Sequence, residues 1–199
     1  MSAKSSDMIE EKRTTKETDV YVALRADGKG NADIATGIGF LDHMLTLFCV
    51  HGRLDLAVKA KGDTEVDYHH TVEDVGIVLG DALKKTLAGR KGVRRYGSAL
   101  VPMDEALASV ALDLSNRPYL VFKVPFASAT VGGFDTQLFS EFFRALVTRA
   151  GITCHIQVPY GANDHHMIEA VFKAFGRALA AAMEIDPHAP EVFSSKGVL

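Results

Sequence analysis

Hydrophobic residues recur at helical spacing in two long segments of the chain. The segment HHTVEDVGIVLGDALKKTL begins at His69, and HHMIEAVFKAFGRALAAAM begins at His165. In both, apolar residues return at positions i, i+3, i+4 and i+7, which predicts an amphipathic helix with one buried stripe. The second segment starts almost half a chain length after the first. Similar segments at that separation predict an internal duplication.

The segments upstream of these two helices also match. An apolar, helix-periodic stretch opens at FLDHM (40–44) and is predicted to end at Gly52, and its counterpart runs over 136–150 and ends at Gly151. After each glycine, alternating apolar residues predict a half-buried strand, around 54–58 in the first half and 152–158 in the second. A polar loop then leads into each helix that begins with two histidines.

Hairpin-like strand pairs are predicted at the start of each half. Strands at 20–24 and 33–35 flank the turn ADGKGN, and strands at 106–114 and 119–124 flank SNRP. A further short strand is predicted around 98–101. Each half is therefore expected to run strand, strand, helix, strand, helix. This order predicts an α+β fold, in which one domain of two pseudo-repeats (about 12–93 and 94–193) packs its sheets on a central helical layer.

Charge and composition mainly exclude classes of protein. Lys and Arg number 22 against 25 Asp and Glu, and the net charge of −3 provides no broad cationic surface for nucleic acid or an acidic membrane. No apolar stretch approaches the roughly 18 residues that span a bilayer, and the polar N-terminus lacks the apolar core of a signal peptide. The two cysteines, Cys49 and Cys154, make no disulfide framework. We therefore expect a soluble, cytoplasmic protein without nucleic-acid or membrane partners.

The paired histidines are the strongest chemical signal in the chain. In HHTVE, Glu73 lies four residues after His69 and three after His70, so the carboxylate shares a helix face with each imidazole. Imidazole and carboxylate one turn apart hold metal ions in helical bundles. Adjacent histidines point roughly 100° apart on a helix of 3.6 residues per turn. One ion could hardly accept both, so the motif predicts two ions.

The second copy of the motif supplies a matching set, His165, His166 and Glu169. A single histidine pair at a helix start is more often solvated or part of a cap, but two copies with glutamate at the same offset favour a metal site. Asp74 and Asp164 stand beside the two motifs, where they are predicted to support the ligands or to cap the helices.

Two further residues are candidates to complete the ions. His43 lies in the upstream helix of the first half, and the repeat places Glu141 opposite it. Both residue types bind metals; the pattern favours His43 and leaves Glu141 open. Mixed imidazole and carboxylate ligation suits Mn, Fe, Zn or Ni. The two cysteines stand away from the motifs and are predicted to be buried.

Several long motifs resemble the imidazoleglycerol-phosphate dehydratase family of histidine biosynthesis. They are GIGFLDHML, DYHHTVEDVGIVLG, RRYGSALVPMDEAL, DLSNRPYL, FDTQL, GANDHHMIEAVFKAFGRAL and SSKG, and they extend from about residue 13 to the C-terminus. The resemblance implies a hydro-lyase that converts D-erythro-imidazole glycerol phosphate to imidazole acetol phosphate. It also implies two Mn²⁺ ions per active site and a homo-oligomer of 24 subunits with active sites between chains.

The resemblance also implies roles for individual residues. One ion would be held by His43, His70, His165 and Glu169, and the other by His69, Glu73 and His166. Glu141 stands where many members carry histidine, so its part in the second set stays open. The substrate contacts implied are Glu17, Arg95, Arg117, Ser195 and Lys196, of which the last two lie in a C-terminal substrate-binding tail, 194–199.

These residues also suit the chemistry that the family name implies. Arg95 and Arg117 can grip a phosphate bidentately, and Lys196 and Ser195 can add a charge and a hydroxyl. The proton to be removed sits on a carbon without a neighbouring carbonyl, so the electrons have to come from the imidazole ring, as a metal-bound imidazolate. Glu17 is the first candidate for the base, and Glu169 can share proton transfer.

Two other functions fit the metal motifs. A di-metal phosphoester hydrolase would use the same ligands but would release phosphate. A non-enzymatic metal-binding structural protein would have little use for converging basic residues.

Overall fold

The computed structural model describes residues 7–88 and 90–188 and confirms the duplicated α+β organisation. The elements of the first half are β1 (Ile9–Thr14), β2 (Thr18–Arg25), β3 (Ala32–Ala35), α1 (Gly39–Gly52), β4 (Asp55–Gly62) and α2 (His69–Ala88). Those of the second half are β5 (Tyr96–Met103), β6 (Ala106–Asp113), β7 (Tyr119–Lys123), β8 (Thr130–Val131), β9 (Phe134–Asp135), α3 (Gln137–Ala150), β10 (Thr153–Tyr160) and α4 (Asp164–Met183).

The two halves share one sheet topology. The strand orders are β1-β2-β4-β3 and β5-β6-β10-β7, and in each sheet one parallel pair (β3 with β4, β7 with β10) accompanies two antiparallel pairs. Apart from the short β8–β9 hairpin of the second half, each half has three strands before its first helix, one more than the basic repeat predicted. The pattern missed β1 because its sequence IEEKRT is polar and largely exposed, and it caught only the centre of β5. The short β8–β9 hairpin is an addition of the second half.

The predicted hairpins are wrong, because the later strand of each half inserts between the two members. Val58 of β4 pairs with Val22 of β2 on one side and with Ile34 of β3 on the other, and β10 lies between β6 and β7 in the same way. The segment ADGKGN is therefore a crossing loop. Asp55, the first residue of β4, accepts hydrogen bonds from the backbone amides of Lys29 (2.8 Å) and Asn31 (3.0 Å), which holds this loop across the strand end.

The helices form the predicted central layer, and each helix packs against a helix of the other half. α1 packs on α4 and α2 on α3, while the first sheet covers α1 and α2 and the second covers α3 and α4. Glycine permits the close approach in α2, since a Cβ atom at Gly76 would lie 2.7 Å from the carbonyl oxygen of Phe142, and one at Gly80 2.6 Å from that of Leu146. The glycines of GIVLG thus serve helix packing.

Both helix pairs run parallel, which decides where the histidines meet. In the α1–α4 pair, contacts link His43 to His165 near the two helix starts and Phe48 to Gly176 further along. In the α2–α3 pair, position 76 lies against 142 and position 80 against 146. Helices that start together bring their first turns together, so both histidine doublets lie beside the first turn of a partner helix.

The left-handed residue that ends the helix stands at different positions in α3 and α1. Gly151 adopts the left-handed conformation (φ 73°) as the C-cap of α3, as its sequence position predicts. After α1 the left-handed residue is Arg53 (φ 53°), one position beyond Gly52, which is itself packed against Gly176 of α4. Within the described residues, no helix is long and apolar enough to cross a membrane.

Asp55 also anchors the first sheet through an ion pair. Burial alone would raise the pKa of Asp55, but hydrogen bonds from Arg25, Lys29 and Asn31 outweigh it and hold the pKa below the ordinary value. We expect Asp55→Asn to lower the free energy of unfolding by about 3 kcal/mol, the cost of removing one partner of a largely buried ion pair.

The pH dependence of this loss follows from the lowered pKa. The charged Asp55 stabilises the fold fully above the unfolded-state pKa of about 3.9, and this contribution declines as the pH falls toward the lower folded-state pKa. The difference between wild type and Asp55→Asn should therefore be constant above about pH 5 and shrink below pH 4. Urea unfolding at fixed protein concentration measures it. Asp33→Asn, which breaks an exposed pair with Lys59, is the control and should change little.

Candidate metal centre

Three of the predicted ligands converge between α1 and α4. The Nε2 atoms of His43 and His165 lie 2.9 and 3.1 Å from the same carboxylate oxygen, Oε1 of Glu169. Within the described residues, this is the only group of three or more histidine, cysteine or acidic side chains whose donor atoms all lie within 4.8 Å of one another. Metal–nitrogen bonds of about 2.1 Å at right angles place two donors about 3.0 Å apart, so the cluster fits a transition-metal ion.

Glu169 is held as a carboxylate by its neighbours. It is a buried residue, and burial alone would raise its pKa, but hydrogen bonds from Lys173, His43 and His165 outweigh this and lower the pKa to about 2. The ammonium of Lys173 lies 2.7 Å from Oε2, the oxygen that faces away from the histidines. Glu169 therefore offers an ionised ligand at any physiological pH.

The α2–α3 pair carries a looser version of the same arrangement. Nε2 of His69 lies 3.8 Å from Oε2 of Glu73. His69 also lines a cavity of about 430 Å³ together with Glu141 of α3. The pair thus repeats the first cluster, with His69 in the place of His165, Glu73 in that of Glu169 and Glu141 in that of His43. Both carboxylate oxygens of Glu141 accept hydrogen bonds from Arg144 (3.0 and 2.9 Å), which fixes the position of the side chain at the cavity wall.

The two histidines of each doublet point in different directions, as the helical geometry requires. The rings of His69 and His70 lie at 90° with centroids 6.1 Å apart, and those of His165 and His166 lie at 89° and 6.4 Å. In each doublet the first histidine belongs to a cluster within its own chain. The second histidine, His70 or His166, does not join the His43 cluster.

Each of these second histidines is bound by a carboxylate at Nδ1. His70 Nδ1 lies 3.0 Å from Oδ2 of Asp63 and 3.9 Å from Oε2 of Glu17, and His166 Nδ1 lies 2.8 Å from Oε2 of Glu105. The hydrogen bond to Asp63 raises the pKa of His70, and that to Glu105 raises the pKa of His166. In return, the hydrogen bond from His166 and the backbone amides of Asn163 and Ala162 lower the pKa of Glu105 to about 2.

Asp74 and Asp164 support the surrounding structure but do not touch the histidines. Asp74 is buried and accepts hydrogen bonds from Thr18 and from Arg13 Nε (2.9 Å). Asp164 accepts from the backbone amides of Ala127 and Ser128 at 2.9 and 2.8 Å. The predicted capping role is wrong as well, because residue 163, an asparagine, accepts from the amides of the histidine doublet and caps α4.

The structure adds three residues to the site that the sequence pattern missed, namely Asp63, Glu105 and Lys173. Lys173 follows Glu169 by four residues on α4, a spacing that predicts an ion pair. Glu105 lies in the β5–β6 loop, 61 residues before His166, so only the fold brings the two together. Asp63 is only seven residues from His70, but it lies in the loop after β4, where no helical spacing indicates the contact. The donor set otherwise contains no thiol: Cys49 and Cys154 are buried, and burial raises their pKa to about 11 and 12.

The predicted substrate contacts are spread over both halves. Glu17, in the β1–β2 turn, has a side chain 57% exposed beside His70. Arg95 is buried, and its Nε and Nη2 atoms donate to the two carboxylate oxygens of Asp113 at 2.6 and 3.0 Å. Arg117, with its side chain 72% exposed, approaches the same carboxylate to 3.7 Å. Ser195, Lys196 and the tail 194–199 lie outside the described residues.

Comparison with known proteins shows the family of the chain. A family model for imidazoleglycerol-phosphate dehydratase matches residues 36–179. The chain is 57% identical over 191 residues to the imidazoleglycerol-phosphate dehydratase of Acetivibrio thermocellus (96% of this chain, 98% of the relative), and 57% identical over 190 residues to that of Bacillus velezensis (96% and 98%).

Solved structures give the same result for the fold. The crystal structure of the Staphylococcus aureus imidazoleglycerol-phosphate dehydratase matches with a TM-score of 0.83 at 44% identity, covering 90% of this chain and 100% of that chain. The Pyrococcus furiosus enzyme, solved in complex with (S)-C348, matches with a TM-score of 0.82 at 39% identity, covering 94% and 99%. With a family model over most of its length and relatives matched from end to end, this chain belongs to the imidazoleglycerol-phosphate dehydratase family.

Proposed function

We propose that this chain removes water from imidazole glycerol phosphate to give imidazole acetol phosphate in histidine biosynthesis, and that the reaction depends on two Mn²⁺ ions per active site. The observation that carries the proposal is the convergence of His43, His165 and Glu169 donor atoms, in a chain whose relatives are named for this reaction. Imidazole nitrogens and carboxylate oxygens without thiolate suit Mn, Fe, Zn or Ni, and of these the family resemblance implies Mn²⁺.

The ligand sets follow from the helix pairs. His43, His165 and Glu169 of one chain would hold one ion together with His70 of a neighbour. His69 and Glu73 would hold the other, with Glu141 beside them and His166 supplied by a neighbour. When bound, the ions would provide positive charge that lowers the pKa of a coordinated imidazole ring.

This division of ligands supports active sites between chains. Each doublet gives its first histidine to a cluster in its own chain and directs its second elsewhere, so two chains could exchange histidines across an interface. We accordingly propose a homo-oligomer, of 24 subunits as the family resemblance implies. A closed symmetric assembly repeats one such interface for every chain.

Glu17 is suited to the proton transfer. Its carboxylate is exposed 3.9 Å from His70 and would therefore enter a neighbour's active site together with that histidine. Loss of the hydroxyl next to the substrate ring, and transfer of the proton on the following carbon to Glu17, give an enol that tautomerises to the ketone. The phosphate stays attached throughout. Glu169, paired with Lys173 and two histidines, is better placed as a ligand than as a base.

The phosphate would be bound by the basic residues around Asp113. Arg117 presents an exposed guanidinium on the loop after β6, which suits a bidentate contact with phosphate. Arg95 is fixed by Asp113 at the base of this loop and places a second positive charge below it. Ser195 and Lys196 of the tail 194–199 would complete the anion site.

The decisive experiment incubates the manganese-loaded protein with imidazole glycerol phosphate and measures both ketone and inorganic phosphate. We expect ketone without phosphate release. Release of phosphate would instead identify a phosphoester hydrolase. If the metal-loaded protein produced neither ketone nor phosphate, the result would favour a metal-binding structural protein.

Removing the metal should abolish the activity and loosen the assembly, because the ions would join ligands from separate chains. A chelator-treated sample is analysed by light scattering before and after Mn²⁺ is restored. An intact assembly in the stripped protein would contradict ligation between chains.

A further inference from the structure

Two carboxylates outside the predicted ligand set contact the histidines that point away from the clusters. We propose that Asp63 and Glu105 are positioning residues, which bind the Nδ1–H groups of His70 and His166 and so present Nε2 of each histidine to an ion held mainly by a neighbouring chain. This inference rests on the proposed two-ion function and assigns a role to residues that are not themselves ligands.

Glu105 is fixed at both carboxylate oxygens. Oε1 accepts hydrogen bonds from the backbone amides of Ala162 (3.1 Å) and Asn163 (2.7 Å), and Oε2 lies 2.8 Å from Nδ1 of His166. Because an ionised carboxylate only accepts hydrogen bonds, Nδ1 must carry the proton. The Nε2 atom is 3.8 Å from the nearest oxygen of Asp104, too far for a hydrogen bond, so Asp104 does not compete with a metal for this nitrogen.

Asp63 holds His70 in the same way. Its Oδ2 lies 3.0 Å from Nδ1 of His70, while its Oδ1 is buried without a hydrogen-bond partner among the described residues. A buried oxygen without a hydrogen bond lowers the free energy of unfolding, so stability alone does not explain the carboxylate at this position. Among the described residues, the one hydrogen bond of the Asp63 side chain is that to His70, which favours a functional purpose.

The duplication shows that the two halves assign the positioning role differently. Val22 pairs with Val58 in the first sheet as Val110 pairs with Ile156 in the second, and the strands on either side are equivalent. Counting back along β2 and β6 makes Glu17 the counterpart of Glu105. Glu105 binds its histidine at 2.8 Å, whereas Glu17 stays 3.9 Å from His70, where Asp63 takes the hydrogen bond.

This substitution of one carboxylate for another has a consequence for the reaction. With Asp63 orienting His70, Glu17 is not committed to the histidine and remains available for proton transfer. In the second half, the equivalent Glu105 is committed and cannot serve as a base. The duplicated fold thus yields one base and two positioning carboxylates from three acidic residues.

The test measures Mn²⁺ affinity, which does not depend on turnover. Glu105→Gln keeps an oxygen for the amides of Ala162 and Asn163 but turns an NH₂ group toward Nδ1, which favours the wrong tautomer of His166. Titration with Mn²⁺, followed by the electron paramagnetic resonance of the free ion, should show the dissociation constant of one of the two ions raised about 10- to 100-fold. Asp63→Asn should do the same for the other ion.

Matched controls remove carboxylates elsewhere. Glu184→Gln, which breaks an exposed ion pair with Arg94, and Asp33→Asn should leave both dissociation constants unchanged. The comparison includes only variants whose circular dichroism spectrum and assembly size match those of the wild type. Should Glu105→Gln fail to assemble, Asp63→Asn carries the same test at the other ion.

A double-mutant cycle separates positioning from general damage to the fold. If Glu105 acts through His166, Glu105→Gln should cost nothing further in a His166→Ala background but its full effect in a His70→Ala background. Equal losses in both backgrounds, or unchanged affinity in the single variants, would overturn the inference. If the wild-type protein binds fewer than two ions or lacks dehydratase activity, the proposed function itself fails.

Discussion

Co-expressing two inactive variants, Glu169→Gln and Glu73→Gln, is expected to restore about a quarter of wild-type activity in the hybrid assemblies, since each site of a random mixture draws its two ligand sets from different chains. Glu169 serves the α1–α4 cluster of one chain, and Glu73 serves the α2–α3 cluster that a neighbour would contribute. Each parent alone should lose at least about 10³-fold in turnover, because a bound cation supplies several kcal/mol of charge stabilisation. Hybrids are purified through two different tags and assayed with Mn²⁺.

A second pair of variants provides the control. Glu169→Gln and His165→Ala damage the same cluster, so every chain in their hybrids carries a defect in it and no site recovers. Restoration in both pairs, or in neither, would contradict active sites shared between chains. The experiment thus tests the division of ligands that the structure of a single chain suggests.

Replacing Glu17 with Gln should lower turnover by about 10²- to 10⁴-fold, the usual contribution of a positioned acid–base group, while Mn²⁺ content stays at the wild-type level. The side chain is 57% exposed, so the substitution has little to disturb in the core. Turnover under saturating substrate and metal content by atomic absorption are measured on the same sample.

The control for Glu17→Gln is Glu184→Gln, which removes a carboxylate of equal size and exposure outside the site. Wild-type turnover in Glu17→Gln would exclude Glu17 as the base. Loss of Mn²⁺ along with activity would instead make it a ligand. A drop in turnover at full metal content is the result that the geometry favours.

Local pattern was sufficient for the helices and for the duplication. The stripes of α2 and α4 are buried as predicted, because an apolar residue every three or four positions has one face to hide wherever the helix packs. The strands β4 and β10 also appear where alternation predicts them. Pattern failed at the edge strand β1, whose polar sequence is stabilised by pairing with β2 and little by burial.

Strand pairing is a long-range property, and the local sequence pattern predicted it wrongly. A turn-rich segment between two short strands resembles a hairpin, but hydrogen bonds from the loop to Asp55 carry the chain across β4. The residues that hold this crossing are 24 to 26 positions apart along the chain. No local window contains both partners.

The candidate site divides in the same way between sequence and tertiary structure. The sequence alone determined the histidine doublets, the glutamate one turn later and the separation of roughly 100° between adjacent side chains around the helix, because all three follow from helical geometry within five residues. Only the tertiary structure decided that parallel packing of α1 on α4 brings His43 to Glu169, and that Asp63 and Glu105 bind the outer histidines. The contacts of His43 with Glu169 and of His166 with Glu105 join residues 126 and 61 positions apart, which the burial of the helix faces and the pairing of the strands bring together. Asp63 lies only seven positions before His70, but it stands in the loop after β4, outside the helical pattern.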